Sequence, residues 1–102
     1  MKIPRKFRFL GKTWTVDYAN PPEPSMPTAW AITQARNQSI VISSTLPQEN
    51  KEEAFIHELL HMLMFSMGVN ESCKISFEQE EAIVNMLSAG LYALIKDETI
   101  NV

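Results

Sequence analysis

An α+β fold, in which a small antiparallel-rich sheet of three to four N-terminal strands packs on two C-terminal helices, is predicted by three observations. Polar and apolar residues alternate in short segments between Lys6 and Ser43. The apolar period then lengthens to that of a helix. Two helix-start signatures, Thr45-Leu46-Pro47-Gln48 and Ser76-Phe77-Glu78-Gln79, mark where the helices begin.

The chain of 102 residues has room for one domain, residues 1–102, with a single core. Hydrophobic residues make up 45% and charged residues 21%, a balance that supports folding and excludes a disordered chain. The first segments, Lys6 to Leu10 and Thr13 to Tyr18, read as a hairpin of half-buried strands around Gly11-Lys12, with Trp14, Val16 and Tyr18 sharing one face. Pro21, Pro22, Pro24 and Pro27 follow and form a stiff connector that can join neither a helix nor a central strand. A second hairpin pairs Ala29–Gln34 with Ser39–Ser43 across Arg36-Asn37-Gln38, and Trp30, Ile32, Ile40 and Ile42 are expected to face the core.

Helix one is expected to begin near 46, run to about Met67 and stop at Gly68, a residue suited to a left-handed cap. Apolar residues surround it on most sides after Phe55, so it should be buried, with one strip interrupted by His57, Glu58 and His61. Helix two, from Phe77 to about Lys96, presents Ile83, Val84, Leu87, Leu91, Leu94 and Ile95 as its apolar face.

The net charge of −3 argues against a nucleic-acid partner, which would need concentrated Lys and Arg. Lys2, Arg5, Lys6, Arg8 and Lys12 cluster near the N-terminus and read as a solvated strand face. The longest apolar stretch, Leu59 to Val69, is too short to span a bilayer, and the N-terminus lacks the apolar run of a signal peptide. One cysteine, Cys73, cannot form an internal disulfide. A cytoplasmic, monomeric protein without a membrane partner is therefore expected.

The chemistry concentrates in His57-Glu58-Leu59-Leu60-His61. Residues four apart on a helix stand one above the other, about 6 Å apart, so two imidazoles can address one metal ion. Glu58 falls beside the pair, where a carboxylate can take a proton from a metal-activated water as general base and pass it to a leaving amine. These are the chain's two histidines, and a buried helix would leave their polar atoms unpaired, at roughly 1 to 3 kcal/mol each, unless something satisfies them. A catalytic zinc needs a third protein ligand, for which Cys73, Glu78, Glu80 and Glu81 are the candidates.

The HExxH helix followed by a glutamate helix resembles the gluzincins, in which a glutamate of the second helix completes the zinc site. Glu80 and Glu81 both fall within the spacing of that family. In gluzincins a polar residue four positions after the glutamate often holds a zinc-bound histidine by its outer nitrogen, and Asn85 stands there for Glu81, whereas Ala82 and Val84 follow Glu78 and Glu80. The resemblance thus implies His57, His61 and Glu81 as metal ligands, Zn2+ as cofactor and Glu58 as the catalytic residue. The run Glu81-Ala82-Ile83-Val84-Asn85-Met86-Leu87-Ser88 is similar to a segment of the ImmA/IrrE-like metallopeptidases, and the whole order of elements resembles the minimal zincins of phages and prophages. Met64 and Met67, which stand where the metzincins have a glycine and a third histidine, argue against that family.

What the resemblance implies is a zincin-like zinc metallopeptidase that hydrolyses a peptide or protein substrate, held by strand addition along an exposed edge formed by residues 39–43. The alternative is a binding protein of the same fold, or a phage effector, with a structural zinc. No oxyanion stabiliser is evident. Tyr92 lies roughly 16 Å beyond Glu81 along the helix, and Tyr18 and Arg36 are the remaining candidates.

Overall fold

Alternating side chains and a tight turn fold the N-terminus into a hairpin of β1 (Lys6–Phe9) and β2 (Lys12–Ala19). In this computed structural model, which describes residues 1–99, the turn is Leu10-Gly11, both at positive φ (51° and 78°), as a two-residue hairpin loop requires. It falls one residue earlier than expected. Trp14 and Val16 are buried on one face, and Phe7 stacks on Trp14, but Tyr18 at the end of the same face emerges beneath the Lys51 ammonium. Lys2, Arg5, Lys6, Arg8 and Lys12 are all exposed.

The Pro-rich segment returns the chain to β3 (Ala31–Gln34), which pairs antiparallel with β4 (Ser39–Ser43). The sheet order is β1-β2-β4-β3, with β2 and β4 parallel. The sheet is therefore mixed, and β4 is central: all five of its residues are buried. The expectation that residues 39–43 form a free edge is overturned, since β4 is paired on both sides, and β3 takes the edge instead. The facing of β3 also differs. Four residues, Ala35 to Gln38, link the strands, so Thr33 pairs with Ile40 and Ala31 with Ile42. Because side chains alternate faces, this register puts Ala31 and Thr33 beside Ile40 and Ile42, and turns Ile32 and the exposed Trp30 to the other side.

Three helices follow instead of two: α1 (Gln48–Ser66), a single turn α2 (Val69–Cys73) and α3 (Phe77–Lys96). The Ser76–Gln79 capping box forms as expected, with both reciprocal hydrogen bonds, but Thr45 does not cap α1. Its hydroxyl bonds the Ser43 hydroxyl instead, and Pro47 occupies the cap position. Gly68, at φ 63°, ends α1 as expected. Phe55 and Ile56 of α1 pack with Val16, Ile40, Ile42 and Ile95 to make the core, while Phe65 and Met67 emerge at the far end of α1. On α3 the buried stripe is Val84, Ser88, Tyr92 and Ile95. Leu87 and Leu94 are exposed, contrary to the apolar pattern, because Ser88 and Tyr92 take the inner face. Among the described residues no helix is long and apolar enough to cross a membrane.

Candidate metal centre

The i, i+4 spacing brings His57 and His61 together on α1, their Nε2 atoms 3.1 Å apart. The capping box starts α3 at Phe77, and Glu81 stands one turn into the helix. Its Oε1 lies 3.1 Å from His57 Nε2 and 3.2 Å from His61 Nε2. These three atoms form a nearly equilateral triangle. Zinc bonds of about 2.0 to 2.1 Å in tetrahedral geometry space their donors by about 3.3 to 3.4 Å, so the triangle matches one tetrahedral face closely.

A second contact decides which atoms can act as ligands. Glu80 Oε2 is 2.5 Å from His61 Nδ1, which donates its hydrogen to the carboxylate. A neutral His61 held this way carries its lone pair on Nε2, pointing at His57 Nε2 and at the anionic Glu81 Oε1. Two electron-rich atoms 3.2 Å apart repel unless positive charge lies between them. A proton can relieve one edge of the triangle at a time; a cation relieves all three. The residues present therefore fit a divalent metal ion, and His57, His61 and Glu81 are the group that could hold it.

The proton affinities follow the same logic. Burial lowers the pKa of His57, reinforced by the neighbouring His61. Burial also pulls His61 down, but the Glu80 hydrogen bond and the charges of Glu58 and Glu81 outweigh it and raise the net value. The anionic surroundings favour positive charge at the centre, in the form of a proton or a metal.

Glu58 is buried, and its Oε1 accepts a 2.7 Å hydrogen bond from the Thr33 hydroxyl on β3. Its Oε2 lies 3.9 Å from His57 Nε2. Burial pushes its pKa up to about 7, against the opposing pull of the Thr33 hydrogen bond and His61. The β3 register that sequence reasoning missed is what supplies Thr33, and period-2 alternation carried no signal for it.

Of the other candidates, Glu78 and Cys73 are exposed and contribute nothing to the triangle. Asn85 lines the surrounding groove but bonds neither imidazole, so the feature that pointed to Glu81 is not the one at work; Glu80 takes the outer nitrogen instead. Tyr92 gives its hydroxyl to Glu52 at 2.9 Å, and Tyr18 and Arg36 lie outside the groove lining. Comparison with family models, with curated proteins and with solved structures returns no match for this chain.

Proposed function

We propose that this chain is a zincin-type, zinc-dependent peptidase in which His57, His61 and Glu81 hold the metal and Glu58 is the general base. The observation that carries the reading is the position of Glu58: its free oxygen stands 3.9 Å from one corner of a three-donor triangle. Zinc bound there would acidify a water and polarise the scissile carbonyl.

The chain's own residues do the rest. Thr33 holds Glu58 Oε1, which leaves Oε2 to receive a proton near His57 and release it to the departing amine. Glu80 fixes the His61 ring and keeps the Nε2 lone pair inward. A structural zinc site is closed by four protein ligands, whereas three donors are grouped here among the described residues, and the Glu81 side chain is 40% exposed. That openness favours catalysis over a purely structural role. Substrate would lie along the free edge of β3, beside Glu58.

Metal analysis of the purified protein should find close to one zinc per chain. Glu58→Gln should retain that zinc and lower kcat/KM for peptide cleavage by about 10² to 10⁴. Protein that contains no metal, or cleavage that survives in Glu58→Gln, would overturn the assignment.

A further inference from the structure

The groove around the centre encloses about 1170 Å³, more than a small ligand needs, and its lining has an uneven chemistry. Among the described residues, six glutamates line it and no lysine or arginine does. Glu58, Glu80 and Glu81 are engaged with the centre itself. Glu23, Glu53 and Glu71 remain on its rim, and none of them forms an ion pair among the described residues. Glu53 stands one turn before His57 on α1, and Glu71 stands on α2 beyond the other end of the same helix. The acidic rim therefore flanks the centre along the α1 axis.

Large apolar side chains supply part of the wall. Phe65 and Phe77 are 67% and 70% exposed, and Met26 and Trp30 are also exposed. An apolar cluster rimmed by polar residues is what an interaction surface presents. A free backbone edge completes the surface. Trp30 O accepts from Ser43 N, so in the antiparallel ladder the N–H and C=O of Ala31 and Thr33 point away from β4.

We infer that the groove selects an extended peptide segment carrying both basic and large apolar side chains. This rests on the peptidase reading for the site and adds its specificity. The backbone would pair with β3, the apolar side chains would cover Phe65, Phe77, Met26 and Trp30, and Lys or Arg would meet the rim acids Glu23, Glu53 and Glu71. An acidic segment is disfavoured, because it would bring like charge against the rim acids.

The test uses the Glu58→Gln chain, so that bound peptide is not cut, and fluorescence anisotropy with two labelled decapeptides. One alternates Lys and Phe; the other has every Lys replaced by Glu. The cationic peptide should bind at least about tenfold more tightly at low salt, and the gap should narrow as salt rises. Glu53→Gln combined with Glu71→Gln should reduce the preference to within about threefold, and Phe65→Ser should weaken the cationic peptide without altering zinc content. Equal binding of the two peptides, binding of neither, or a preference untouched by the double substitution would overturn the inference. Cleavage without charge preference sinks the specificity alone. Charge-selective binding by a chain that never cleaves sinks the peptidase reading alone.

Discussion

Two glutamates buried on α1, Glu52 at 7% exposure and Glu58 at 9%, have opposite surroundings. Glu52 is closed: the Tyr92 hydroxyl donates to one oxygen at 2.9 Å and the Gln48 amide to the other at 3.2 Å. Glu58 is half closed, with Thr33 on one oxygen and the other turned toward His57. The first arrangement fastens α3 to α1 and gives each carboxylate oxygen a donor. The second leaves an acceptor atom free at a donor triangle. A buried polar group costs stability unless it is satisfied, and no enclosed side-chain oxygen among the described residues lacks a partner, so the unbonded Glu58 oxygen is one that the groove leaves accessible.

The largest expected effect that separates the pair is on pH-dependent stability of the metal-free chain. Glu58 in the fold titrates at about 7, above its ordinary 4.5, so between those values the folded state binds more protons than the unfolded one. Stability should fall as pH rises through that window, by about 3 kcal/mol for the full shift. Urea unfolding of chelator-treated protein at pH 5 and pH 7.5 should show this loss, and Glu58→Gln should reduce it to the part that His61, whose pKa is also raised, contributes. An unchanged slope in that variant would place the burden on another group.

Next comes the closed site. Tyr92→Phe removes the hydroxyl that answers Glu52 and should cost about 1 to 3 kcal/mol, read as a lower urea midpoint with zinc content and cleavage preserved. A loss of activity at full stability would instead tie Glu52 to the reaction. The smallest effect is on Thr33. Its hydrogen bond draws the Glu58 pKa down, so Thr33→Val should raise that pKa and move the acid limb of the kcat/KM profile to higher pH. A limb that stays in place would show that Thr33 does not tune the base.

The contrast also shows what could be read from the sequence. Local rules carried well: alternation located the strands, Ser76 and Gln79 formed their capping box, Gly68 ended α1, and four-residue spacing joined the histidines. What failed depended on partners distant in the chain. The parallel pairing of β2 with β4 made residues 39–43 central and left β3 at the edge. The four-residue link between β3 and β4 shifted the facing by one position and brought Thr33 to Glu58, although the helix faces gave no hint of it. The inner face of α3 includes Tyr92 because Glu52 lies opposite, a polar match that an apolar period cannot reveal. Spacing alone leaves Glu80 and Glu81 level as the third donor, and Asn85, the reason for preferring Glu81, bonds neither imidazole; the contact that orients His61 comes from Glu80.

The donor triangle draws two corners from α1 and one from α3, across 20 and 24 residues of chain. An ion held there would be a removable staple. It would close the α1–α2–α3 segment into a loop, so that the ion's affinity and the docking of the two helices become one equilibrium. Metal availability would then govern how long the chain persists in its folded form as well as what it can do.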